Sequence, residues 1–278
     1  MKPVNGQTIL ITGSSDGIGK LTALQLATQQ ARILIHGRNK DKVARAVTEL
    51  QQSSGNKNIE GFIADLSSLA EVGKLAKEVL GKYSKLDVLI NNAGVGTTDK
   101  RYGKDGTELR FTVNYLAPFL LTHLLLPALQ NAAPSRIVNV SSAGQQPVNF
   151  DDVMLEKDFD GVRAYSQSKL ALIMFTIDLA DQIKNKNITV NSLHPGTYLD
   201  TNMVRNAGIT PQGKPETGAD AEVFLAVSPQ LEGITGKYFN VTSEAKANSQ
   251  AYDAKARRKL WELSMQLTGL KRKVDVVH

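Results

Sequence analysis

Cysteine is absent from all 278 residues, which excludes disulfides, thiolate metal sites and thiol nucleophiles. A chain without thiols suits a reducing compartment. Long apolar runs are missing too. No stretch approaches the roughly 18 uninterrupted apolar residues that a spanning helix needs, and the apolar run in MKPVNGQTILITG stops early, at Gly13. The expectation is a cytoplasmic chain with no export signal and no integral membrane segment. The net charge is +6, and a basic excess can attract nucleic acid or any other anion. Here the basic residues are scattered, with only ARRK (256–259) and KRK (271–273) as short clusters. No basic stripe with interleaved aromatics is present, so a solvated surface is expected and nucleic acid is not an expected partner.

The composition that remains, 41% hydrophobic and 22% charged, is that of an ordinary globular protein able to bury a sizeable core. Short β-branched apolar runs recur at 8–13, 32–37, 59–65, 86–94, 136–142 and 188–196, with a seventh at 236–241. Most are apolar on both faces, as strands of a covered parallel sheet are. Helical patterns lie between them near 17–29, 40–53, 68–82, 107–130 and 163–184, then near 217–227 and 249–267. The alternation predicts a single-domain α/β Rossmann fold. Its sheet would be doubly wound, seven-stranded and mostly parallel, with helices on both faces. Nothing resembling a linker divides residues 1–278. Two long irregular stretches, 143–162 and 197–216, each follow the carboxyl end of a strand, where open α/β sheets bind ligands. These are the expected substrate pocket.

LITGSSDGIGK places Gly13, Gly17 and Gly19 at the first strand-to-helix turn. Glycines there permit a tight turn and let backbone N–H groups approach a pyrophosphate at the helix N-terminus. A nucleoside-triphosphate loop would need G-x-x-x-x-G-K-[ST]; Ser14 stands where its first glycine belongs, and Leu21 follows Lys20. At the end of the second strand, IHGRN offers Arg38 where sites for NAD usually carry a carboxylate. A guanidinium can bind a 2′-phosphate through paired hydrogen bonds, which favours NADP(H) over NAD(H). Asp16 in the glycine turn works against this, since an acid repels phosphate. Asp65 could accept from an adenine amine or merely cap a helix. The small residues of NNAG (91–94) would let a ribose or ring lie close.

Tyr165 and Lys169 are four residues apart in RAYSQSKLALIMFTIDLA (163–180), hence neighbours on one helix face. A phenol has an ordinary pKa near ~10 and needs a drop of about 3 units to exchange protons near neutrality. An ammonium roughly 4 Å away at an effective dielectric of about 20 supplies energy of that order. Ser142 closes RIVNVSSAG, where a hydroxyl could donate to a developing oxyanion; no histidine or acid is placed to make it a nucleophile. Asn114 interrupts the apolar helix FTVNYLAPFLL, and a buried amide demands partners. A kinked helix holding a relay water would supply them, and so would an ordinary core hydrogen bond.

Taken together, T-G-x-x-x-G-x-G (12–19), N-N-A-G, the Asn114 helix, the serine strand, Y-x-x-x-K and HPG (194–196) resemble the short-chain dehydrogenase/reductase family along essentially the whole chain. The segments at 104–127, 164–175, 216–239 and 257–270 are similar to its retinol dehydrogenase and WW-domain oxidoreductase-like branch. The resemblance implies that Tyr165 is the acid/base, Lys169 its modulator and a ribose ligand, Ser142 the substrate orienter and Asn114 the proton relay. It implies an NADP(H) site made by Gly13, Ser15, Asp16, Gly17, Ile18, Gly19, Arg38, Asn39, Asp65, Leu66, Asn92, Ala93, Gly94, Tyr165, Lys169, Pro195, Gly196 and Thr197, with no metal. The implied partner is a small alcohol or carbonyl of lipophilic character, and relatives pair long helices into homodimers or homotetramers. The alternative is a nucleotide-binding regulator that has lost turnover, against which the presence of Ser142, Tyr165 and Lys169 speaks. Three departures from the pattern stand out. The N-terminal anchoring helix of many branch members is not seen, Thr201 comes one residue later than in P-G-x-x-x-T, and Leu172 replaces a frequent asparagine.

Overall fold

The structure, a computed structural model, describes residues 2–96 and 98–270. The apolar runs become β1 (Thr8–Ile11), β2 (Arg32–Gly37), β3 (Ile59–Ile63), β4 (Val88–Asn91), β5 (Ser135–Val140), β6 (Ile188–His194) and β7 (Tyr238–Asn240). They form one sheet in the order β3-β2-β1-β4-β5-β6-β7, parallel throughout. An eighth strand, β8 (Ser243–Ala245), adds antiparallel to β7. The seven-strand expectation misses it because three largely exposed residues carry no readable alternation. Val241, in the left-handed region at φ +57°, makes the reversal.

Helices cover both faces, each burying an apolar stripe. On one face lie α1 (Gly17–Thr28), α2 (Lys40–Ser54) and α8 (Pro215–Val227), whose Leu26, Val43 and Leu225 meet Ile9, Ile33 and Val138 of the sheet. On the other lie α3 (Leu69–Lys82), α5 (Ala117–Ala132) and α6 (Gly161–Gln182), whose Val72, Phe119 and Ile173 join Leu10, Leu89 and Ile137. The expected helix over 107–130 is composite. A short α4 (Leu109–Phe111) runs into a π turn at Thr112–Leu116 and then into α5. By length and composition Leu109–Ala132 could cross a membrane, but most of it is buried in this core.

The expected helix over 249–267 starts as a 3-10 turn, and α9 (Ala254–Thr268) follows from its cap Asp253. It packs on the long helices α5 and α6: Trp261 meets Phe119 and His123, and Arg257 pairs with Asp178 at 2.8 Å. Of the two basic clusters, ARRK lies on α9 with Arg258 paired to Glu262 in solvent; KRK lies outside the described residues. The 197–216 stretch contains α7 (Asn202–Asn206). Strand order reverses at β1, whose neighbours β2 and β4 are followed by chain running to opposite sides. The crevice this opens at the carboxyl ends is where the chemistry-bearing residues collect.

Candidate active site

The glycine turn is bare backbone pressed against the NNAG segment. Gly13 is left-handed at φ +66°, and a Cβ there would fall 2.7 Å from Ala93 Cα; on Gly19 it would collide with the Asn92 amide. Gly17, at φ +58°, differs. A Cβ on it would meet nothing among the described residues within 4 Å, so the backbone at the start of α1 borders open space. That cradle fits a pyrophosphate. Ser15 and Ile18 pack the turn to its surroundings, Ser15 under Gly37 and Ile18 against Gly218.

Asp16 spends both carboxylate oxygens: one accepts from Gly17 N at 2.8 Å, the other from Asn202 Nδ2 on α7 at 2.7 Å. Arg38 is exposed just past β2, and Asn39 caps α2 through Lys42 N at 2.9 Å. Asp65 accepts from Ser67 N at 3.0 Å and has Lys104 Nζ at 3.4 Å, while Leu66 is buried in the core. Asn92 turns inward: its Nδ2 donates to Thr12 O and Gly13 O at 2.7 and 3.1 Å, bracing the turn.

Asn114, in the π turn, accepts from Val95 N at 2.8 Å and donates to Val95 O and Ser168 Oγ at 3.0 Å each. A Cβ on Gly94 would lie 3.3 Å from both Asn114 Oδ1 and Lys169 Nζ. These three therefore converge. Lys169 Nζ donates to Val140 O at 2.9 Å and lies 5.7 Å from the Tyr165 ring centroid. Burial lowers the Lys169 pKa to about 8. Burial also raises the Tyr165 hydroxyl above the ordinary phenol range, opposed by a hydrogen bond with Ser142. The sequence leads one to expect a tyrosine acidified by the lysine and further by an oxidised nicotinamide; in the protein by itself, desolvation outweighs the Ser142 hydrogen bond.

Ser142 is buried, its Oγ accepting from Gly144 N at 3.0 Å and its carbonyl from Tyr238 Oη at 3.1 Å. The neighbouring Ser141 points away, donating to Lys169 O at 2.7 Å. Pro195, Gly196 and Thr197 follow β6 at the same edge, with Thr197 Oγ1 3.2 Å from His194 Nε2. Thr201 caps α7, accepting from Val204 N. Leu172 is buried in the core, a packing residue.

Three residues went unread in the sequence. His36 sits under the glycine turn, its Nδ1 accepting from Gly13 N at 3.2 Å and its Nε2 3.0 Å from Ala64 O; burial lowers its pKa to about 4. Glu222 on α8 is fully buried beside Thr22. Gln167 on α6 ties down the 149–153 stretch, donating to Val153 O at 2.8 Å. Each looks ordinary in sequence, since nothing local marks its partner.

The family model described as short chain dehydrogenase matches residues 7–212. Human retinol dehydrogenase 14 is 38% identical over 295 residues, covering 96% of this chain and 88% of its own length. Among solved structures, an uncharacterized protein from Mycobacterium Paratuberculosis superposes with a TM-score of 0.77 at 28% identity, covering 95% of this chain and 93% of its own. A Pseudomonas aeruginosa RhlG/NADP active-site complex does so at 0.69, with 28% identity and 86% and 97% coverage.

Proposed function

Since the chain belongs to the short-chain dehydrogenase/reductase family, we propose that it is an NADP(H)-dependent oxidoreductase interconverting an alcohol and a carbonyl, with a lipophilic small molecule as substrate. The observation that carries this reading is the convergence of Ser142, Tyr165, Lys169 and Asn114 at one sheet edge, beside a glycine turn open to an anion. The dinucleotide supplies the hydride acceptor or donor and, when oxidised, a positive charge.

The protein's part is position and charge. Ile18 and Gly19 present N–H groups to the pyrophosphate, the Gly17 N–H being held by Asp16, and Asp65 and Leu66 border the adenine. Arg38 and Asn39 lie where a 2′-phosphate would be received. Asp16 still counts against it, since Gly17 N and Asn202 hold its carboxylate in place but leave the charge there. Ala93, Gly94, Pro195, Gly196 and Thr197 leave room for the nicotinamide half, and Asn92 serves by bracing the turn.

Ser142 orients the carbonyl oxygen through its hydroxyl, and Tyr165 Oη gives that oxygen a proton or takes one from it. The positive charge of Lys169 favours the phenolate. Asn114, bound to Val95 and Ser168, holds the inner end of a proton path to Lys169. The apolar character of the substrate rests on the exposed apolar side chains Val162, Tyr198, Met203 and Ile209 in or beside the two irregular stretches, and on the similarity to retinol dehydrogenase 14. A panel of aldehydes and ketones offered to the purified protein, with NADPH oxidation followed against an NADH control, tests the whole reading. Turnover of no carbonyl with either nucleotide defeats it.

A further inference from the structure

Phe159 stands next to Asp160, the cap of α6, at the end of the irregular stretch that leaves β5. Two guanidiniums lie over its ring, with Arg101 Cζ 4.7 Å and Arg110 Cζ 5.4 Å from the centroid. Both belong to the stretch that leaves β4, the neighbouring strand. Arg110 is fully buried and pairs with Glu108 at 3.2 Å. Its Nη1 donates to Lys100 O at 3.0 Å and its Nη2 to Thr98 O at 2.5 Å, so it dictates the path of 98–100. Arg101 reaches the other way, Nη2 donating to Leu155 O at 2.8 Å. Leu155 is buried at φ +50°, an unusual conformation for a bulky residue.

Each arginine keeps a buried Nε with no hydrogen-bond partner among the described residues. A polar edge shut away from water is costly, and an aromatic face is the group here that attracts a cation. Two like charges over one ring would repel each other. Glu108 beside Arg110 and Asp152, whose carboxyl feels Arg101, offset that repulsion. The ring, together with the Arg101–Leu155 hydrogen bond, therefore joins two loops that share no strand. Gln167 fastens the second loop to α6, two residues from Tyr165.

We propose that Phe159 is a specificity-determining residue. Held by Arg101 and Arg110, it locks the 98–101 loop to the 153–159 loop and so sets the width of the mouth through which substrate reaches Ser142 and Tyr165. This rests on the alcohol–carbonyl reading above. With the ring gone, the Arg101–Leu155 hydrogen bond is left to hold the loops; they loosen and bulky carbonyls enter more easily, while the reacting groups stay in place.

The test compares wild type with Phe159→Ala, Phe159→Leu and Phe159→Trp on aldehydes of increasing bulk. Amide hydrogen exchange is measured in parallel. Phe159→Ala is expected to leave kcat for the smallest aldehyde within about twofold and to raise the bulky-to-small ratio of kcat/KM roughly tenfold, through KM. Exchange in 98–101 and 153–159 rises together. Phe159→Leu, which keeps apolar bulk but has no π face, shifts the ratio the same way by less. Phe159→Trp restores wild-type selectivity and exchange. An unchanged size profile in the variants that fold, or faster exchange in one loop alone, overturns the proposal while wild-type turnover keeps the alcohol–carbonyl reading. Absence of turnover by wild type on every carbonyl overturns that reading, and the specificity role with it.

Discussion

Lys169 Nζ is hydrogen-bonded to Val140 O at 2.9 Å and lies 5.7 Å from the centroid of the Tyr165 ring one helical turn away. The ammonium is thus held at a fixed post at the sheet edge, one helical turn from the phenol. Tyr165→Phe removes the hydroxyl to which the proposed reaction assigns proton transfer, with its hydrogen bond to Ser142. It should lower kcat by a factor on the order of 10³ while leaving the NADPH dissociation constant within about threefold. Fluorescence titration beside steady-state assays checks both halves, and retained turnover would refute the acid/base role.

Lys169 is itself poised near the working range. Burial lowers its pKa to about 8, so its charge is present below that value and lost as pH rises through it. Reduction of a carbonyl that depends on this charge should decline above about pH 8. Lys169→Ala should weaken cofactor binding and rate together and abolish that limb of the profile. An alkaline limb that survives the substitution assigns the titration to another group.

Arg38 is exposed beyond β2, with Gly37 before it and Asn39 after it. Arg38→Asp exchanges the proposed 2′-phosphate partner for a group that repels phosphate and can accept from a free 2′-hydroxyl. The ratio of kcat/KM for NADPH over NADH should fall by about a hundredfold, a change of roughly 3 kcal/mol. An unmoved ratio removes Arg38 from the site.

His36 supports the glycine turn in its neutral form, accepting from Gly13 N. Its folded pKa of about 4 lies below the ordinary value of 6.5, so the unfolded chain binds this proton more readily. The contribution to stability is complete above pH 6.5 and disappears as pH falls towards 4, a loss of about 3 kcal/mol. Urea unfolding across that window should show the decline in wild type and a flatter profile in His36→Gln.

Glu222 behaves in the opposite sense. Burial raises its carboxyl to about 8. Thr22 Oγ1 has one proton for two acceptors, Ile18 O at 3.1 Å and Glu222 Oε2 at 2.8 Å; a protonated Glu222 resolves this by donating. The unfolded chain releases this proton near pH 4.5, so the stability contributed by the neutral acid is full below that value and gone above 8. Glu222→Gln should therefore unfold less readily than wild type at pH 9, by several kcal/mol. Equal stabilities there would mean that the carboxyl ionises without cost.

The order of β1 to β7 and the two helix layers were legible because each element obeys a local rule. Residues such as Ile9 to Ile11 are apolar on both faces because both faces are covered. The π turn at Thr112–Leu116 was legible only as an anomaly, an asparagine in an apolar helix. Its shape follows from Val95 and Ser168, to which Asn114 is bonded. β8 left no mark because three mostly exposed residues bury too little to need a pattern.

Sequence alone determined that strands and helices would alternate, that a glycine turn would open the first helix, and that Tyr165 and Lys169 would share a face; the periods of helix and strand and the freedom of glycine settle such matters over a few residues. Tertiary structure decided that Asp16 answers to Asn202, that Asn92 braces Gly13, that His36 lies beneath the same turn, and that Arg101 and Arg110 meet at Phe159. Those partners are tens to nearly two hundred residues apart. A buried polar group must be satisfied wherever the fold happens to bring a complement, and no local pattern records which one it will be.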